Sequence, residues 1–297
     1  MTWFEGFSSG TFEVNGTEIF ARHGGRAGAP PLLLLHGFPQ THALWHRAAR
    51  RLMDEYYLVM PDLRGYGDSS RLPGLADHSN YSKRTMAADM QALMQALGHD
   101  SYFLCGHDRG GRVAHRQALD FPGSVRKLCV IDIAPTLDMY ERTDMAFARA
   151  YYHWFHLIQP APLPETMIGA NARAYLHVKL GGWGAGGLAH LEPEAVKEYE
   201  RCFCRAESIH AACEDYRASA GIDLEHDREG RARGDKVACD LLVLWGDRGI
   251  VHRLFEPLTL WRAQCAGAVS GVALPAGHFV AEELPEATAQ ALASFFR

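Results

Sequence analysis

Short apolar runs bounded by Gly, Pro or Asp recur in the first half of the chain: Leu32 to Leu35, Tyr57 to Met60, Tyr102 to Cys105 and Leu128 to Ile133, the last broken only by Asp132. A run that is apolar at every position, rather than at every second one, predicts a strand buried on both faces, as in a parallel sheet. Between the second and third runs, Met86, Met90, Leu93, Met94 and Leu97 recur at helical spacing within 81–97, and Gly98 follows as a stop. Strand, helix, strand is the rhythm of a βαβ unit, which predicts an α/β fold with helices on both faces of a mostly parallel sheet.

The texture changes after Pro135. Aromatic-rich helical stretches such as Tyr151-Tyr152-His153-Trp154-Phe155 are broken by Pro160, Pro162, Pro164 and the glycines of 181–187. Strand texture returns at Leu241 to Trp245 and near Val269 to Leu274, and an amphipathic helix from about Ala287 ends the chain. The expected organisation is one α/β core, residues 1–134 and 237–297, interrupted by a helical cap at 135–236. A length of 297 residues suits one large domain with an insertion.

Composition narrows the partners. A formal charge of −5, from 30 Lys+Arg against 35 Asp+Glu, gives no long-range attraction for nucleic acid or anionic lipid, so neither is expected as a partner. A small anionic substrate would need a local cluster of positive charge. The seven cysteines show no C-x-x-C pairing and two lie inside apolar runs, which predicts reduced thiols in a reducing compartment. Residues 1–6 carry no basic-then-apolar signal, and the apolar run at Leu32 to Leu35 is far too short to span a bilayer. The expected location is the cytoplasm. No i, i+4 histidine pair with a carboxylate marks a zinc site among the 16 histidines, and neither metal nor cofactor is expected.

The strongest chemical signal is Gly106-His107-Asp108-Arg109-Gly110, directly after the run Tyr102 to Cys105 and before the helix-like Val113 to Leu119. This pattern resembles the nucleophile elbow of α/β hydrolases, with Asp108 where serine is usual. An Asp between glycines, taken alone, is more often a turn residue. Two further segments weigh against that reading. His36-Gly37-Phe38-Pro39 follows the first buried run, where the fold keeps its second oxyanion-hole amide, and Gly277-His278-Phe279 follows the last, where it keeps its base. His36 and His107 are expected to shape the oxyanion loop and the elbow.

An aspartate nucleophile indicates the bond attacked. Serine displacing a group from saturated carbon would leave an ether, whereas a carboxylate leaves an ester that water can open at its carbonyl. Alkyl halides and epoxides are the natural substrates. His278 would activate the water, and the amides of Phe38 and Arg109 would hold the oxyanion, each donor contributing about 3 kcal/mol. Two acids could orient His278. Asp247 lies in Gly246-Asp247-Arg248-Gly249, where glycine occupies the usual acid offset, while Asp132 sits in the apolar Val130-Ile131-Asp132-Ile133, where a charge is costly without a partner. The burial argument favours Asp132.

Beyond the core motifs, Gly106 to Arg112, the Asp62-Leu63-Arg64-Gly65-Tyr66-Gly67 loop, Ile131-Asp132-Ile133-Ala134-Pro135-Thr136, Tyr152-His153-Trp154, Gly182-Trp183-Gly184 and Asp215-Tyr216-Arg217 together resemble haloacetate (fluoroacetate) dehalogenases across nearly the whole chain. The resemblance implies hydrolysis of a haloacetate to glycolate and halide, with the substrate carboxylate on Arg109 and Arg112. It also implies a halide pocket of His153, Trp154 and Tyr216, and a homodimer. The arginines have independent support: two carboxylates cannot approach to reacting distance without compensating charge. For Arg116 a plain salt bridge is expected, for Cys202 and Cys204 ordinary thiols. Trp183 resembles a residue near the family's substrate access and receives no catalytic role. Epoxide hydrolases are the rival, sharing Asp, hole and His but usually carrying Trp where this chain has Arg109. A non-catalytic binding protein of the same fold is disfavoured because every candidate catalytic group is present.

Overall fold

The computed structural model describes residues 2–297. Eight strands, β1 (Phe7–Val14), β2 (Thr17–Gly25), β3 (Pro31–Leu35), β4 (Tyr57–Pro61), β5 (Tyr102–His107), β6 (Val125–Ile131), β7 (Asp240–Gly246) and β8 (Val269–Leu274), form one sheet in the order β1-β2-β4-β3-β5-β6-β7-β8. Pairing is parallel from β4 through β8, while β1 and β2 join antiparallel at the other edge. The four runs read as buried strands all lie in the central sheet. Leu32 to Leu35 are fully buried, each side chain contributing about 1.5–3 kcal/mol by leaving water.

Three local differences from the expected pattern have physical causes. The hairpin β1-β2 was missed, although its turn residues Asn15 and Gly16 both adopt positive φ (48° and 72°), as a two-residue turn between twisted antiparallel strands demands. The first long helix starts at Lys83 rather than Tyr81, because Ser82 caps it by accepting from the Thr85 N–H. Strand β6 stops at Ile131 rather than Ile133, because Asp132 turns into the left-handed region at φ 50°.

Helices α1 (His46–Leu52), α2 (Lys83–Ala96) and α3 (Asp108–Asp120) flank the sheet. Eight consecutive helices then separate β6 from β7: α4 (Thr136–Glu141), α5 (Met145–Ala150), α6 (Tyr152–Leu157), α7 (Leu163–Gly169), α8 (Ala172–Trp183), α9 (Pro193–Phe203), α10 (Ala206–Ala220) and α11 (Ile222–Arg233). They fall in the segment expected as a cap. Helices α12 (Ile250–Leu254), α13 (Pro257–Gln264), α14 (Val280–Glu283) and α15 (Pro285–Phe296) complete the chain, α15 packing on α1. Among the described residues no helix is long and apolar enough to cross a membrane.

Candidate active site

Strand β5 passes into α3 at His107-Asp108 through a turn that only small neighbours permit. A methyl group on Gly106 would overlap the Gly110 carbonyl, and one on Gly110 would overlap the His36 carbonyl. Asp108 is held at φ 47°, a conformation costly for a residue with a Cβ and retained where the surroundings over-determine it. Its side chain stands at the carboxyl end of the central strands. Asp108 Oδ1 accepts from the Phe38 N–H at 2.9 Å, so one expected oxyanion donor already lies on the carboxylate. Arg109 is in the first turn of α3, where backbone N–H groups have no helical acceptor.

His278 faces the same carboxylate from the loop after β8. Its Nε2 lies 3.9 Å from Asp108 Oδ2 and its Nδ1 lies 2.6 Å from Asp132 Oδ2. A carboxylate only accepts, so Nδ1 carries a proton, and in the neutral imidazole Nε2 is the basic nitrogen that faces Asp108. The other oxygen of Asp132 accepts from the Gly246 N–H at 3.1 Å. Asp247 is half-exposed and pairs with Arg248 at 3.8 Å. The His278 backbone is pinned twice: its carbonyl accepts from His107 Nε2 at 2.9 Å and its N–H donates to the Trp183 carbonyl at 2.8 Å. His36 likewise braces the loop before Phe38, its Nε2 accepting from the Leu63 N–H at 3.0 Å.

Electrostatics favour a charged Asp108 beside a basic imidazole. Burial opposes ionisation of Asp108, but His278, His107, Arg112 and Arg109 outweigh it and hold the carboxyl below its usual range. Burial likewise opposes protonation of His278, but its hydrogen bond to Asp132 and the charges of Asp132 and Asp108 raise its pKa above the ordinary 6.5.

Both arginines are buried beside Asp108, in different states. Arg109 is gripped by Asp215 of α10: Nε donates to Oδ2 at 2.9 Å, and Nη2 donates to Oδ1 at 2.8 Å and to the Asp215 carbonyl at 2.9 Å. Its Nη2 also bonds Ser219, and the guanidinium lies 4.2 Å over the Tyr216 ring. Lys83 and Tyr66 bind the same Asp215 carboxylate, Tyr66 through its hydroxyl at 2.6 Å. Arg109 Nη1 is buried with no partner among the described residues. Arg112 donates to the Ala134 carbonyl at 3.2 Å and to Thr136 Oγ1 at 2.9 Å, and lies 4.8 Å over Trp154. Among the described residues Arg112 meets no carboxylate. Arg116, expected as an ordinary ion pair, bonds Asp120.

Helices α6 and α10 bring the three expected halide residues together. His153, Trp154 and Tyr216 are all buried, with ring centroids 5.5 Å apart for His153–Tyr216 and 6.5 Å for Trp154–Tyr216. The Phe38 ring packs edge-on against Tyr216 at 5.4 Å and stacks on His153 at 6.1 Å. The Tyr216 hydroxyl and His153 Nδ1 are buried without partners among the described residues. Burial, together with Lys179, His278, Arg109 and Arg112, keeps His153 neutral. Native interiors rarely strand polar atoms, so the stranded Arg109 Nη1, Tyr216 hydroxyl and His153 Nδ1 fit a site whose complement is a polar or charged ligand.

Several neighbours went unassigned from sequence alone. Asp215 figured only as part of a motif, and Lys83 and Tyr66, which hold it, lie in segments far apart along the chain. Tyr140 presents a buried hydroxyl with no partner among the described residues and packs on Trp154 at 4.8 Å. Lys179 was legible in principle, since Tyr175, Lys179 and Trp183 follow at intervals of four on α8.

The profile of the α/β hydrolase fold matches residues 30–285, and the chain belongs to that fold family. A fluoroacetate dehalogenase of Burkholderia sp is 45% identical over 292 residues, covering 98% of this chain and 94% of that protein, and puts the chain in the haloacetate dehalogenase branch of the family. A solved α/β hydrolase from Nostoc sp PCC 7120 superimposes with a TM-score of 0.95 at 49% identity over 99% of both chains. The soluble epoxide hydrolase of Corynebacterium sp. (strain C12) is more distant, 29% identical over 90% of each chain.

Proposed function

We propose that this protein hydrolyses the carbon–halogen bond of a haloacetate, giving glycolate and halide through an aspartyl ester. The observation that carries this reading is the pair of buried arginines beside the Asp108 carboxylate, Arg112 without an acidic partner and Arg109 with a free Nη1. A second anion can then lie next to the nucleophile, which a neutral substrate would not require.

The substrate carboxylate lies on Arg109 and Arg112. Asp108 Oδ2 attacks the halogen-bearing carbon as the carbon–halogen bond breaks, and the halide departs toward His153, Trp154 and Tyr216. Donors aimed at fluoride offset part of its desolvation cost. The 3.9 Å separation of His278 Nε2 from Asp108 Oδ2 is too long for a direct hydrogen bond. In the second step a water gives its proton to Nε2 and adds to the ester carbonyl, and the oxyanion forms on the Phe38 and Arg109 amides. Collapse expels glycolate, whose oxygen takes the proton back from His278. Asp108 then releases one proton to solvent, balancing haloacetate and water against glycolate, halide and a proton. Asp132 orients the imidazole throughout.

The same reading divides the chain into a core of residues 1–134 and 237–297 and a cap of 135–236. It also locates the protein in the cytoplasm, supported by seven cysteines that are all free, and makes it a homodimer, supported by family resemblance alone. The test is halide release from bromo-, chloro- and fluoroacetate, measured beside hydrolysis of a neutral epoxide. Turnover of the epoxide with no release from any haloacetate would favour the epoxide hydrolase alternative.

A further inference from the structure

A cleft of about 420 Å³ runs from the protein surface to His278 between α5, α8 and α12. Among the described residues its lining includes four basic residues, Arg149, Lys179, Arg248 and Arg253, and no acidic one. In a chain of net charge −5 that is a local reversal of sign. Asp247 lies against Arg248 at 3.8 Å, and the Glu283 carboxylate is occupied by the N–H groups of Ala185 at 3.0 Å, Gly277 at 2.8 Å and Phe279 at 3.1 Å. Neither acid neutralises Arg149, Arg253 or Lys179.

Lys179 is the unusual member. It is 2% exposed, and its ammonium sits over the faces of Tyr152 at 3.7 Å, Trp183 at 5.1 Å and Tyr175 at 5.2 Å, with no carboxylate partner among the described residues. Aromatic faces hold a cation without supplying a countercharge. Burial pulls its pKa down to about 7, so an arriving anion restores what the site lacks.

The geometry points to an anion-collecting site at the mouth of this cleft, built on Lys179 with Arg149, Arg248 and Arg253, that takes small monocarboxylates and halides on their way to and from His278. As a stage for the substrate it rests on the haloacetate reading above; as an anion site it does not. Low-dielectric walls lined by one sign of charge focus the field and raise the local concentration of the opposite ion.

Trp183 lines the same cleft and serves as a reporter. The emission lost on Trp183→Phe isolates its signal, which is then quenched with iodide or with neutral acrylamide at low ionic strength. Replacing the exposed Arg149, Arg248 and Arg253 together by Gln should cut iodide quenching of Trp183 about threefold and leave acrylamide quenching unchanged. Lys179→Met should cut it as well, and the exposed triple variant keeps the test valid if that buried change disturbs the cap. Equal iodide quenching in the wild-type and triple-variant proteins would overturn the anion site. With the site established, KM for bromoacetate should rise about threefold in the triple variant with kcat within about twofold. An unchanged KM would overturn its role toward substrate. Absence of any haloacetate turnover by the wild type would overturn the proposed function and leave the iodide result standing.

Discussion

His278 Nδ1 lies 2.6 Å from Asp132 Oδ2, at the end of β6, while Asp247 points out to solvent beside Arg248. The carboxylate that meets His278 is therefore one strand earlier than the common place of the orienting acid in this fold. A glycine at 249 accommodates the shift: a Cβ there would come within 3.2 Å of Asp132 Oδ1. Asp132→Asn should lower kcat by about 10³- to 10⁴-fold, by analogy with losing the orienting carboxylate of a serine triad. Asp247→Asn should change it less than about threefold, as surface charge changes usually do. Steady-state rates with bromoacetate check the ranking, and the reverse order would move the acid to Asp247.

The pH dependence follows from the same contact. In the proposed role of base His278 would act only when neutral, and its pKa is raised, so ester hydrolysis should fall as pH drops through a midpoint above 6.5. Asp132→Asn removes the group that raises it most, so the residual activity should show its acid limb at lower pH. A pH–rate profile of kcat for both proteins measures the displacement; an unshifted limb would mean that another group titrates.

Arg109 and Arg112 differ in how they are held, and their variants should differ too. Either residue changed to Leu should lower kcat/KM for haloacetate by roughly 30- to 1000-fold, the equivalent of ~2 to 4 kcal/mol for a charged contact in a closed site. Lys at 109 should also impair the enzyme, since a point charge cannot reproduce the fork that grips Asp215. Asp215→Asn should weaken substrate binding through Arg109 and raise KM more than it lowers kcat. Kinetics on bromoacetate separate these outcomes.

Fluoride accepts stronger hydrogen bonds than bromide and leaves less readily. Trp154→Phe and Tyr216→Phe should therefore lower turnover of fluoroacetate about 10- to 100-fold, for a contact of ~1.5 to 3 kcal/mol, and that of bromoacetate much less. Parallel halide-release assays give the ratio. Equal losses on both substrates would assign these side chains to packing, as the stacking of Tyr151 on Trp154 at 5.9 Å would suggest.

The central strands and the elbow were legible because their signals are local. Apolar runs mark the buried strands, and Gly106 is demanded by the approach of the Gly110 backbone four residues on, whereas Gly110 is demanded by the distant His36 carbonyl and was legible only from its place in the motif. That Asp132 rather than Asp247 would be the acid in contact with His278 was also accessible, from the cost of placing a charge in an apolar run. What escaped depends on contacts between distant segments. Lys83, Tyr66 and Asp215 meet only when α2, the loop after β4 and α10 pack together, and no spacing announces it. The hairpin β1-β2 escaped for another reason: half of the β1 residues face solvent and polar residues alternate through β2, so it lacks an apolar run, and its Asn-Gly turn was its strongest mark.

The central claim is that Asp108 attacks carbon and water attacks Asp108. A single turnover of bromoacetate by excess enzyme in heavy-oxygen water tests it most directly, read by mass spectrometry of both the product and the peptide containing Asp108. The account predicts label in the Asp108 carboxylate and unlabelled glycolate from the first turnover, with the unhydrolysed ester accumulating as added mass when His278 is replaced by Ala. Label appearing directly in first-turnover glycolate, with Asp108 unlabelled, would contradict it and make water the displacing group.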